Sequence, residues 1–251
     1  METTSFMAQF REWLRETLSV IRQQVRSGKY TQEYCESSIK PVLEAIREGR
    51  PFQVVLSGPA LTDKVGLQLA AWQTLYKKRF GADSDFLSLV VPKSRSDFGQ
   101  LIVVRGLAIE QAFQQCCECF HCRKYTYRML DNIISSNDRK PKGGAYAIWV
   151  RNRIEADKEH RKCSAQYLFQ EHIPGITLLE RLLLEMKYFR DTEQHLDVEN
   201  ITLCSGSRYE DGGVPGVRWH KGNMEILRLA PDFADEHLRC REVVSQSCSE
   251  I

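Results

Sequence analysis

The run PGITLLERLLLEMKYF, from Pro174 to Phe189, restricts this chain more than any other stretch, and it leads through the polar connector RDTEQHLDVEN into a strand-forming tail that reaches Leu229. Thr177 and Glu180 have the spacing of a capping box, in which each side chain satisfies a backbone amide, so a helix starts just after Pro174-Gly175. At about 100° per residue, Thr177, Glu180, Arg181, Glu185 and Lys187 fall within an arc of about 160°. Ile176, Leu178, Leu179, Leu182, Leu183, Met186 and Phe189 occupy the rest. A face this wide must be covered, which predicts a core helix with its polar arc turned to solvent. Leu184 and Tyr188 interrupt that arc. Four residues apart, they meet on one side and read either as a second covered face or as a self-association surface.

After the connector, Ile201–Cys204 reads as a strand and Tyr209–Gly213 as a turn. Val217–Trp219 and Met224–Leu229 form a hairpin across His220-Lys221-Gly222-Asn223. A short helix is expected around Asp235–Arg241, followed by a Ser-rich end.

Toward the N-terminus, Phe6, Phe10, Trp13, Leu14, Leu18, Ile21 and Val25 recur at helical spacing, and Tyr34, Ile39, Val42, Leu43 and Ile46 form a second stripe, kinked near Pro41. Residues 1–50 are therefore predicted to be a helical hairpin. Residues 51–251 read as a mixed α/β domain, continuous with the hairpin or separate from it. Within it, strand Gln53–Leu56, a helix carrying Val65, Leu69, Trp72 and Tyr76, and strand Leu87–Val91 make a candidate βαβ unit; Leu101–Val104 is a further strand. The junction SGPALTDK lacks the glycine spacing of a phosphate-binding loop and reads as an ordinary turn. The expected class is α+β, with the N-terminal hairpin packed on a mixed sheet.

Composition narrows the function classes. A net charge of +2 on 251 residues does not by itself call for a polyanionic partner. No window holds the ~20 apolar residues of a membrane span, so no membrane partner is expected. Glu2, Arg11 and Glu12 interrupt any apolar leader, and nine cysteines, an odd number, fit free thiols in a reducing, cytoplasmic setting.

The cysteines cluster in QCCECFHCRKY. Cys116, Cys119, His121 and Cys122 are soft ligands of the kind zinc takes. The competing reading is packing: Ile109, Ala112, Phe113, Cys116, Cys117 and Phe120 lie on one helical face, where a free cysteine behaves as a small apolar residue.

From Arg123 to Arg153 the local net charge is +6, carried by Arg123, Lys124, Arg128, Arg139, Lys140, Lys142, Arg151 and Arg153, with Tyr125, Tyr127, Tyr146 and Trp149 interleaved. Cations for phosphates and rings for bases make this the candidate nucleic-acid surface. Residues 154–200 carry a net −4, so the rival reading is that the two blocks pair within the molecule. Catalytic motifs are absent. A thiol or acid site of a hydrolase or transferase, built from Cys204 with His195 or His220 and Asp197, is the enzymatic alternative, although no GxSxG accompanies it. The stretches HLDVENITLCSGSR and PGITLLERLLLEMKYF make the second half resemble uncharacterised bacterial proteins of unknown function, a resemblance that implies no activity and no site. The leading expectation is a non-enzymatic binding or regulatory protein that contacts nucleic acid through its basic segment.

Overall fold

The computed structural model describes residues 64–84, 86, 89–140 and 145–246, plus the helical positions 15, 19, 21, 22, 40 and 44. The chain divides into two compact units, residues 1–63 and 64–251. Apart from those six helical positions, the expected hairpin over 1–50, the strand Gln53–Leu56 and the SGPALTDK turn up to Asp63 lie outside the described residues. In the second unit helices and strands mix, as an α+β fold requires.

Helix α1 (Lys64–Phe80) buries Leu69, Trp72, Leu75 and Tyr76. Its polar groups fix strand β1 (Gln100–Val104): Trp72 Nε1 donates to the Leu101 carbonyl at 2.8 Å and the Tyr76 hydroxyl to that of Val103 at 3.0 Å. Strand β1 pairs antiparallel with β4 (Tyr146–Val150), Ile102 opposite Ile148. The candidate βαβ unit is not what forms here. Leu89–Val91 adopt no strand, and the partner of β1 arrives from the far side of the cysteine-rich region. The run is only partly covered: Leu89 and Val91 are half-buried against the core and Val90 is exposed.

Between β1 and β4 come α2 (Ile109–Cys119), β2 (Cys122–Lys124), α3 (Leu130–Ile133) and β3 (Ile134–Asn137). Helix α4 (Ala165–Gln170), capped by Ser164, precedes α5 (Leu178–Thr192). Strands β5 (Ile201–Leu203), β6 (Ser207–Tyr209), β7 (Val214–His220), β8 (Asn223–Leu229) and β9 (Leu238–Cys240) complete the unit. Strands β7 and β8 form the expected hairpin, with Lys221 and Gly222 supplying the positive φ values of its turn. They are the middle of a five-stranded mixed sheet in the order β2-β8-β7-β5-β9, in which β2 and β9 join parallel to their neighbours. Strand β9 occupies the place where a helix over Asp235–Arg241 was expected: pairing with β5 decides the conformation of a segment too short and too charged to favour either.

Helix α5 carries the complete capping box, Thr177 accepting from the Glu180 amide and Glu180 accepting from that of Thr177. It packs on α2 and β1, and every residue from Leu178 to Lys187 is buried. The polar arc therefore does not face solvent. Leu184 belongs to the core and Tyr188 is half-buried against it, so the side that sequence offered for self-association is largely covered within this chain. Burial also dictates partners for the charged members of the arc, because an isolated ion in the interior costs several kcal/mol. Arg181 binds Glu185 at 2.7 Å and Asp197 at 2.8 Å, Lys187 binds Asp191, and Glu180 binds Arg139. Gly175, just ahead of the helix, is required by crowding: a Cβ there would fall within 1.7 Å of the Ser205 hydroxyl.

Candidate nucleic-acid interface

The basic segment divides into an interior part and a surface part. In the interior part, Arg139 grips Glu180 through Nε at 2.7 Å and Nη2 at 2.9 Å, and donates from Nη2 to the Gly175 carbonyl at 2.6 Å. Tyr146 donates to the same carboxylate at 2.9 Å, so it is no stacking platform. Burial alone would raise the carboxyl of Glu180, but Arg139 and the hydrogen bonds around it hold it below the usual range. Arg151 lies over the ring of Phe98 and spans Asp97, Asp157 and Glu242 at 2.6, 2.7 and 2.9 Å. Arg153, at the exposed edge of this cluster, takes Glu159 with both Nη groups. Trp149 is buried, its indole N–H donating to the Pro92 carbonyl. Three of these acids, Asp157, Glu159 and Glu180, come from the acid-rich block and bind the basic segment directly.

The surface part is contiguous. Strand β2 is an edge of the five-stranded sheet, held to β8 on one side, and the chain leaves it as Tyr125-Thr126-Tyr127-Arg128-Met129. Arg123, Tyr125, Tyr127, Arg128 and Met129 are all exposed; the chain is strand through Lys124 and bends at Tyr125, Tyr127 and Arg128. Tyr125 is 72% exposed, Met129 52%, and Tyr127 is completely open. Arg123 stands 4.0 Å from Glu225, a carboxylate that Arg218 already holds at 2.9 Å. Arg128 reaches Glu210 at 3.2 Å, with both side chains more than half exposed. Lys124 is different: Glu110 chelates its ammonium at 2.6 and 2.7 Å, which fixes the strand end rather than presenting a charge. Lys140 is exposed away from this strip, and Lys142 lies outside the described residues.

Beside the strip opens a cavity of about 340 Å³, lined by buried Leu130, Ile133, Tyr209 and Ile226 and bordered by Arg128 and Arg228. Tyr209 and Arg228 were not legible as site residues. They come from β6 and β8, and only the sheet pairing brings them to the strip; the sole sequence signal nearby was the turn at Tyr209–Gly213.

The cysteines at the end of α2 stay near one another, with Cys117 and Cys122 sharing a hydrogen bond, but their other contacts are to backbone carbonyls. Cys116 points inward and donates to the Leu182 carbonyl, and burial pushes its thiol up. Cys119 bonds back to the Gln115 carbonyl, while Cys122 lies in β2 and donates to that of Phe120. His121 is exposed, and its carbonyl accepts from the Met224 amide. Among the described residues no group of three or more potential ligands is placed to hold a metal ion. Core packing accounts for Cys116, and the zinc reading finds no ligand set there.

The residues of the thiol or acid alternative are also held in structural roles. Cys204 is fully buried, and burial raises its thiol far above the usual range. Asp197 is enclosed by Arg181, Arg241, Thr202 and the Ala156 amide. His195 shares a hydrogen bond of 2.9 Å with Glu185 and stacks on Trp219, with ring centroids 3.3 Å apart. A nucleophile must meet its substrate, and neither Cys204 nor Asp197 is open to one. Among the described residues no helix is long and apolar enough to cross a membrane. In comparisons with protein-family profiles, curated proteins and solved structures, the chain matches none of them.

Proposed function

We propose that this protein is a non-enzymatic binding module that contacts single-stranded nucleic acid through the strip from Arg123 to Met129. The observation that carries this reading is the exposure of Tyr125 and Tyr127 between two surface guanidiniums, Arg123 and Arg128. Exposed aromatic rings present flat apolar faces, and every base offers a π-face to stack on them. Flanking arginines reach phosphates with geometry a carboxylate neighbour does not exclude, since exposed ion pairs are worth about 0–1 kcal/mol. Single strands are favoured over duplexes because only unstacked bases can lie on a ring.

Fluorescence-anisotropy titration with single-stranded DNA and RNA oligonucleotides at low and high salt tests the reading. Binding is expected at low salt, and Tyr125→Ala with Tyr127→Ala is expected to weaken it by about 1–3 kcal/mol per lost base contact. Absence of binding at low salt, or affinity indifferent to the double substitution, overturns it.

A further inference from the structure

The cavity beside the strip has the size and lining of a pocket for one ring of a ligand. Its volume of about 340 Å³ lies within the range of small-ligand sites, roughly 300–1,000 Å³. The floor is apolar, made of Leu130, Ile133, Ile226 and the face of Tyr209. Its border carries both signs of charge in two exposed pairs, Arg128 with Glu210 at 3.2 Å and Arg228 with Asp211 at 2.7 Å. Asp211 is fixed in place, since its second oxygen accepts from the Gly213 amide at 3.0 Å. Gly213 in turn lets the Arg228 side chain lie close, as a Cβ there would come within 2.9 Å of the guanidinium. Arg228 engages Asp211 through Nε alone, and its two Nη groups have no hydrogen-bond partner among the described residues.

Resting on the proposed contact with single strands, we infer that this cavity receives one unstacked base while its neighbours stack on Tyr125 and Tyr127. The apolar floor takes the ring, and the open Nη side of Arg228 takes the adjoining phosphate. The carboxylates of Glu210 and Asp211 accept hydrogen bonds, so they reward bases that carry an exocyclic amino group, whereas the single N3–H of uracil and thymine is flanked by two carbonyl oxygens that a carboxylate repels. The site therefore selects adenine and cytosine over thymine. Guanine presents N1–H beside its exocyclic amino group, two adjacent donors that a carboxylate can accept together, so it belongs with the preferred bases.

The test compares 12-nucleotide oligo(dA), oligo(dC) and oligo(dT) by anisotropy at low salt, with the intact chain and with Arg228→Glu and Thr126→Trp. Arg228 is a surface residue, and Thr126 lines the cavity from the loop, so a tryptophan there fills the space from the surface side while the core side chains stay in place. For the wild type, oligo(dA) and oligo(dC) are expected to bind about tenfold tighter than oligo(dT), the equivalent of one charge-assisted hydrogen bond. Thr126→Trp is expected to lose that preference while keeping the weaker binding that the tyrosines provide, and Arg228→Glu, which removes the phosphate contact, is expected to weaken all three oligonucleotides together. Equal wild-type affinity for all three oligonucleotides, or a preference that survives Thr126→Trp, overturns the pocket and leaves the strip reading standing. If no oligonucleotide binds at low salt, the strip reading itself fails and the pocket with it.

Discussion

Arg139 and Arg123 belong to one basic segment, yet they do opposite things. Arg139 is enclosed with a bidentate carboxylate, a carbonyl and a neighbouring tyrosine hydroxyl on the same acid, while Arg123 stands in solvent 4.0 Å from an acid that another arginine holds. The contrast extends to the rings: Tyr146 and Trp149 are tied by hydrogen bonds into the interior, and Tyr125 and Tyr127 are bare. A composition of cations and aromatics is thus compatible with two unrelated jobs. What separates them is whether the acids of the following block reach the cation. Glu180 and Asp157 do so because α5 and the loop before it are drawn into the core; no buried carboxylate from that block comes to the strip.

If this division is right, interior charges govern stability and strip residues do not. Asp197→Ala leaves Arg181 and Arg241 buried without their shared carboxylate, and a loss of about 3–5 kcal/mol is expected in urea unfolding. A loss below 1 kcal/mol would mean that water or rearrangement replaces the acid, and that the interior network is not what holds α5. Acid should act through the same groups. Burial raises Asp197, Glu180 and Glu242, but their arginine partners outweigh it and hold all three below their unfolded values. Their contribution is therefore complete above the ordinary carboxylate range and is lost as pH falls through the lower folded values. Asp157, which burial raises, opposes the trend. Unfolding monitored between pH 7 and pH 3 is expected to show a net decline; unchanged stability across that range would contradict the ion network.

A smaller effect is expected at the helix start. Thr177→Ala removes the cap of α5 and should cost about 1 kcal/mol, read as a shift in the urea midpoint without change in slope. Least of all, Tyr125→Ala and Tyr127→Ala should alter stability by no more than about 0.5 kcal/mol, since neither ring packs on the core. A larger loss would place the strip among the structural elements and remove the basis for assigning it a partner.

Sequence made much of this frame legible. The capping box at Thr177 and Glu180 and the β7–β8 hairpin depend on local chemistry, which neighbours in sequence supply. The burial of Glu180, Arg181 and Glu185 was not legible, because charged residues at helical spacing look the same whether water or a distant Arg139 and Asp197 satisfies them. Strands β2 and β9 are three residues each, and pairing with β8 and β5 creates them. For the site, sequence picked out Tyr125 and Tyr127 but could not separate them from Tyr146 and Trp149. Arg228 and Tyr209 were invisible, since only the sheet order carries them to the strip.

The most direct test of the division between interior and strip is a pair of salt-dependent titrations with a single-stranded oligonucleotide, comparing Arg123→Glu/Arg128→Glu with Lys140→Glu. Lys140 is an exposed cation of the same segment outside the strip. The account expects the strip variant to lose about tenfold or more in affinity, with a shallower dependence on salt because fewer phosphates are neutralised, and Lys140→Glu to remain close to wild type. Equal losses from the two variants would show that binding follows generic basic charge, and the strip would have no special role.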